Sequence, residues 1–342
     1  MNVMTQLPET ERLPATRPQI SPTLPGLTLV PAHCCICGTD DAEPVGLGED
    51  FEYRTCPDTF LAVKCPHCGV VYLNPRPDEA EFARIYPNNY HAFQFQEEDF
   101  GFIYKVRCRL EAKRLLKWCR NLPDNAQILD VGCGDGFHLK LLQQYGKSGW
   151  QLSGLDLDPR AVAAAQKRGL NVQHGDLHEV NLPTQHYDRI FLIMTVEHVA
   201  HPDRLLKRAA ELLKSGGRLI IVTDSTAGFD FQIFGGRHWG GYHFPRHWYL
   251  FDRGSLAKLA EKAGFQTVSV RTATSPVNWV YSIHNLLVDW QAPKWLVRRF
   301  TLHSPVSLGI FTILDTMLKW VGKGSILHGI FEKPHHSSEA VR

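Results

Sequence analysis

The segment Ile128-Leu129-Asp130-Val131-Gly132-Cys133-Gly134-Asp135-Gly136 runs an apolar strand straight into three glycines at alternate positions. Glycine tolerates φ > 0 and lets the backbone approach a ligand closely, and Phe137 to Tyr145 reads as a helix whose N-terminus faces that ligand. The next apolar run, Leu152-Ser153-Gly154-Leu155-Asp156, ends on a carboxylate 20 residues after Gly136, where ribose hydroxyls can be held. Two strand ends thus point at one nucleoside. The spacing is GxGxG with Asp130 just before it, which departs from the GxGxxG that seats a dinucleotide pyrophosphate.

In these residues the chain resembles the class I S-adenosylmethionine-dependent methyltransferases, whose first loop has the form Leu-Asp-Val-Gly-Cys-Gly-Asp-Gly and whose second strand ends in an acid such as Asp156. His174-Gly175-Asp176-Leu177 resembles the family's third strand end, where the acid approaches adenine, and Tyr187 to Met194 its fourth strand. The resemblance implies an α/β fold with a Rossmann-like seven-stranded sheet, its seventh strand antiparallel. It implies S-adenosylmethionine as cofactor, held by Asp130, Gly132, Cys133, Gly134, Gly136, Asp156, Leu157, Asp176, Leu177 and Met194.

Six of the nine cysteines lie between 34 and 68. Cys34-Cys35-Ile36-Cys37-Gly38 and Cys65-Pro66-His67-Cys68-Gly69 form two Cys-x-x-Cys-Gly turns, each able to aim two thiolates at one point. Cys34, Cys37, Cys65 and Cys68 therefore suit a tetrahedral structural zinc, with no position left for a reacting water. Cys35 and Cys56 are spare thiols or small buried hydrophobes. Disulfides are the rival explanation, and the odd count with no export signal weighs against them.

A net charge of +2 on 342 residues advertises no nucleic-acid partner. No run of 18 uncharged apolar residues appears, and no basic start leads into an apolar stretch, so a cytoplasmic protein is expected. Residues 1–31, with six prolines, read as a disordered leader. A zinc-ribbon-like module is expected over 32–77, the methyltransferase core over 78–274 and 324–334, a helical insertion between strands six and seven over 275–323, and a flexible tail over 335–342. The aromatic segment Tyr86 to Phe95 is placed to fold over the cofactor, or to pack between modules.

After the fifth strand, Gly235 to Tyr249 gathers histidines, arginines and large aromatics into one loop, at the strand end where open α/β sheets bind ligands. This is the candidate acceptor site. Flanking glycines suggest movement, and His247 is the first candidate base, with His243, Tyr242 and Arg246 as further catalytic candidates. The layout partly resembles the deoxysugar C-methyltransferases, which join a four-cysteine zinc domain to this core and carry a Tyr-x-Glu-His motif. Here His247 is kept, while Phe244 and Arg246 stand where the tyrosine and glutamate would be. In the ubiquinone-pathway O-methyltransferases, Glu-x-x-Glu-His holds a divalent metal. Met194 replaces the first acid, so that resemblance predicts no catalytic magnesium at Glu197 and His198.

In the insertion, Val277 to Trp290 and Val306 to Val321 are expected as helices, the second setting Ile310, Ile313, Leu314, Met317 and Val321 along one face. Asp315 and Lys319 argue against a membrane span. Lys294 to Phe300 mixes cations with aromatics and suits an anionic membrane surface, against a lid or dimer face of buried helices as the alternative. The leading function is methyl transfer to a small-molecule intermediate, a sugar, polyketide-like or lipid-linked compound. An RNA base methyltransferase and a non-catalytic cofactor-binding module are the alternatives.

Overall fold

The computed structural model describes residues 24–87, 90 and 97–335. Seven strands form the central sheet: β1 (Gln127–Val131), β2 (Gln151–Asp156), β3 (Val172–His174), β4 (Tyr187–Ile193), β5 (Leu213–Asp224), β6 (Gln266–Ala273) and β7 (Ile326–Glu332). Their order is β3-β2-β1-β4-β5-β7-β6. The first five are parallel, and β7 runs antiparallel to both β5 and β6. β4 and β5 are buried through most of their length, which is why both read as apolar runs rather than alternating ones.

Helices cover both faces. α1 (Glu97–Trp118) packs on α2 (Phe137–Tyr145), α3 (Pro159–Lys167) follows β2, and α4 (Pro202–Leu212) turns Leu205, Leu206, Ala209 and Leu212 into the core. α5 (Arg253–Lys262) starts with a capping box in which Asp252 and Ser255 satisfy each other's backbone N–H groups. The expected insertion carries α6 (Val277–Asp289) and α7 (Pro305–Trp320), joined through a short turn of helix at Lys294–Val297.

The N-terminal boundaries differ from those expected. Residues 1–23 lie outside the described residues, but the leader does not extend to 31: Leu29–Val30 pairs with Arg76–Pro77, and Thr28 N–H donates to the Glu81 carboxylate. Nor is the cysteine module closed at 77. Its antiparallel strands Glu43–Glu49, Thr59–Lys64 and Val71–Leu73 take a fourth strand, Tyr249–Leu250, from the end of the acceptor loop. That loop therefore belongs to both parts. Of the expected tail, 336–342 lie outside the described residues.

Candidate active site

The glycine loop is built as its sequence implies. Gly132, Gly134 and Gly136 all have positive φ, of 71°, 56° and 80°. A Cβ at Gly132 would stand 2.6 Å from Thr195 Oγ1, whereas one at Gly134 would meet nothing within 4 Å. The open side of the loop is thus at Gly134, whose N–H donates to Asp156 Oδ2 at 2.7 Å. The other Asp156 oxygen accepts from Asp158 N–H at 2.8 Å, and Gly175 N–H reaches the Asp156 carbonyl, so the ends of β1, β2 and β3 are tied together. Burial raises the Asp156 pKa, which those amide donors oppose.

Two features mark a ligand cradle. Asp130 is buried, and its Oδ2 has no hydrogen-bond partner among the described residues, with His138 Nδ1 standing 3.7 Å away. Met194, at the end of β4, holds a left-handed φ of 54° and stays exposed, as does Leu157 beyond β2. Asp176 is half-buried and accepts from His178 N–H. The other two cofactor candidates turn inward: Leu177 lies in the core, and Cys133 packs against Gly154 and Leu139, its thiol pKa pushed up by burial.

The acceptor loop is packed from Trp239 to Leu250, every side chain buried. Gly240 and Gly241 serve packing rather than the expected movement. A Cβ on Gly240 would stand 2.6 Å from the Tyr281 side chain, and one on Gly241 would sit 2.4 Å from the Trp239 ring. These glycines permit close approach of α6 and of an indole.

His247 lies at the end of β5. Its Nδ1 is 2.8 Å from the Gly241 carbonyl and 3.3 Å from Asp224 Oδ2. A carbonyl only accepts, so Nδ1 carries the proton and Nε2 keeps a bare lone pair. Burial, with His198 and His243 nearby, holds His247 well below the usual histidine range, so the ring is neutral at pH 7. Asp224 is fully buried and accepts from Asn278 Nδ2 at 2.7 Å, and burial moves its pKa up to about 7. The expected His243 instead pairs with Glu52 of the cysteine module at 2.8 Å, its backbone left-handed at φ 40°.

Tyr242 and Arg246 are not placed for chemistry. The Tyr242 hydroxyl donates to the Gly235 carbonyl, and its ring stacks on Phe244 at 4.6 Å. Arg246 is spent on the module: NH1 and NH2 reach Asp50 at 3.1 and 2.9 Å, and Nε donates to the Ile85 carbonyl at 2.6 Å. Burial alone would raise the Asp50 pKa, but the guanidinium brings it down to about 2.

Further side chains crowd His247 beyond the candidate bases. Tyr86 O–H contacts His198 Nδ1 at 2.8 Å, and the His198 and His247 rings lie 4.5 Å apart. Tyr90 packs edge-on to Tyr86 at 5.0 Å, with Tyr86 beside His198 and Tyr90 beside His243, while 88–89 and 91–95 of the 86–95 segment lie outside the described residues. Glu197 closes the loop through its carbonyl, which accepts from Trp248 and Tyr249 N–H. Its carboxylate is buried, and neither oxygen has a hydrogen-bond partner among the described residues. Burial and then Asp224 push its pKa far up, which keeps it a neutral acid. Ligand atoms of Glu197, His198 and His247 lie within 4.8 Å of one another, a donor set that could hold a divalent metal. Asp224, which the sequence reading missed, ends an apolar strand as Asp156 does, and that position is the signal that marks it.

The four cysteine sulfurs also lie within 4.8 Å of one another, with Cys34 Sγ 3.4 Å from Cys37 and 3.3 Å from Cys68, and Cys37 Sγ 3.5 Å from Cys65. A tetrahedron of thiolates about 2.3 Å from a metal has edges of about 3.8 Å. Gly38 and Gly69 close the two turns with φ of 72° and 85°. Donor type and spacing both fit a closed four-thiolate site. Cys35 and Cys56 stay outside it, and no disulfide forms among the described residues.

Residues 102–270 match the family model described as a methyltransferase domain. A ubiquinone biosynthesis O-methyltransferase of Bordetella avium is 27% identical over 186 residues, covering 49% of this chain and 75% of the relative. One of the same description from Coxiella burnetii is 32% identical over 102 residues, 28% of this chain and 42% of the relative, so the chain spans well under half of that protein. Phosphoethanolamine N-methyltransferase 2 of Haemonchus contortus, solved with S-adenosyl-L-methionine, gives a TM-score of 0.49 at 18% identity, covering 86% of this chain and 69% of that one.

Proposed function

We propose that this S-adenosylmethionine-dependent methyltransferase acts on a hydroxyl group of a small biosynthetic intermediate, with His247 Nε2 as the base. The observation that carries the reading is the Gly241 carbonyl on His247 Nδ1, which leaves the opposite nitrogen unprotonated. The relatives named for O-methylation in ubiquinone biosynthesis support an oxygen acceptor on a small molecule.

When bound, S-adenosylmethionine would supply a methyl group on a sulfonium. Asp130, buried with an unpartnered oxygen, would receive a cationic part of it; Asp156 keeps acceptor capacity for ribose hydroxyls beyond its two amide bonds. Leu157 and Met194 offer exposed apolar flanks for a base. His247 takes the acceptor's O–H proton as its oxygen bonds to carbon and the carbon–sulfur bond breaks. Asp224, once ionised, stabilises the resulting imidazolium from 3.3 Å. The rigid loop fixes this geometry, which is the main requirement of an in-line displacement.

Cys34, Cys37, Cys65 and Cys68 would hold a structural zinc that secures the sheet to which the loop contributes its last strand. A second reading follows from the convergence of Glu197, His198 and His247: together they would hold a divalent cation beside the acceptor, and His247 would then be a ligand in place of the base.

Titration calorimetry with S-adenosylmethionine, alongside NADH, tests the cofactor. A screen of phenolic, sugar and lipid-linked acceptors with labelled methyl donor, plus or minus added magnesium after chelation, then tests the acceptor and separates the two readings. Label entering RNA in place of every small acceptor would overturn the proposal.

A further inference from the structure

α7 carries an apolar stripe that none of the described residues covers. Val306, Ile310, Ile313, Met317 and Trp320 are 69%, 58%, 67%, 58% and 77% exposed, at helical spacings of four and three residues. Its opposite side is the packed one: Trp279 of α6 stacks on Phe311 at 5.7 Å, and the fully buried Asp315 accepts from Trp279 Nε1, Ser275 N–H and Ser325. Such a run of large exposed side chains is unusual for a monomer in water.

The charge around the stripe is one-sided. Between 290 and 323 the cations are Lys294, Arg298, Arg299, Lys319 and Lys323, and the single acid is Asp315, turned inside. The whole chain carries only +2, so this segment holds a concentrated positive surface on a nearly balanced protein. Trp290 and Trp295, 70% and 63% exposed, add amphipathic rings of the kind that settle at a headgroup boundary. A helix of 16 residues reaches about 24 Å, short of a hydrocarbon core of about 30 Å, and no described helix is long and apolar enough to cross a membrane.

We infer that the insertion docks on an anionic lipid bilayer, α7 lying in the interface with its apolar stripe inserted and the lysines and arginines against the headgroups. A second copy of this chain is the poorer occupant, because pairing the same face would bring two cationic surfaces together with no exposed acid between 290 and 323 to meet them.

The test is co-sedimentation of the full chain with phosphatidylcholine vesicles and with vesicles containing equimolar phosphatidylglycerol. Binding is expected to the anionic vesicles only, weakening with salt. The double variant Ile313→Asp/Met317→Asp, and separately Arg298→Glu/Arg299→Glu, should each weaken it at least tenfold, while the cofactor affinity and melting temperature stay at the parent's. Failure of the parent to bind either vesicle would overturn the inference, as would unchanged binding by the apolar variant. A dimer seen by light scattering and dissolved by Ile313→Asp/Met317→Asp would assign the face to a second copy instead.

Discussion

Arg246 NH2 lies 2.9 Å from Asp50 Oδ2, joining residues 196 apart in the chain with both side chains fully buried. The pair fastens the acceptor loop to the cysteine module. Replacing the cation alone, as Arg246→Met, leaves a buried carboxylate without its partner and should cost about 3–5 kcal/mol. Chemical denaturation measures this, and the double variant Asp50→Asn/Arg246→Met should recover part of the loss.

The same carboxylate makes stability acid-sensitive. Its folded pKa of about 2 lies below the ordinary 3.8, so its contribution is complete above the ordinary value and disappears as pH falls towards 2. Between those limits Asp50→Asn should unfold with a flatter pH dependence than the parent.

His247→Ala should lower kcat by about 10²–10⁴-fold with the affinity for S-adenosylmethionine unchanged. The outcome is read by combining a methyl-transfer assay with titration calorimetry. Parent-level turnover in this variant would remove His247 as the base.

Asp224 should set the pH profile, since His247 is already neutral at pH 7. With its pKa raised to about 7, Asp224 is protonated below that pH and ionised above it, so kcat should rise as pH passes through neutrality. Asp224→Asn should be slower and lack that inflection. The raised pKa has the opposite sign for stability: the folded state keeps a proton that the unfolded chain releases above 3.8, so stability falls from there to about pH 7, and the asparagine variant should lose that slope.

The two loop glycines should fail differently. Gly132→Ala places a Cβ 2.6 Å from Thr195 Oγ1 at φ 71° and should lower stability by about 1–3 kcal/mol. Gly134→Ala at φ 56° shares the backbone strain but meets no protein atom within 4 Å, so its loss of melting temperature should be smaller than that of Gly132→Ala, and the added Cβ acts on the cofactor side.

Much of the core was legible because its signals are local. The glycine positions, the strand-end acids Asp156 and Asp176, and the paired cysteine turns each depend on neighbours within a few residues. The acceptor loop was legible only in outline. Tyr242 and Arg246 look like chemical groups until their partners, Gly235 and Asp50, are brought to them by folding. Gly240 looks like a hinge for the same reason, since Tyr281 comes from α6. The outward face of α7 follows from its period, but which side is outward depends on Asp315 finding Ser275 and Ser325.

The strand Tyr249–Leu250, hydrogen-bonded at the edge of the cysteine module's sheet, sets the unit in which this enzyme can be rebuilt. His247 stands two residues before it. A chimera that exchanged the catalytic domain while keeping a foreign N-terminal module would inherit a loop with no edge to join. The module and the loop are therefore one structural unit, although 180 residues separate Thr59 from the loop's first buried indole at Trp239.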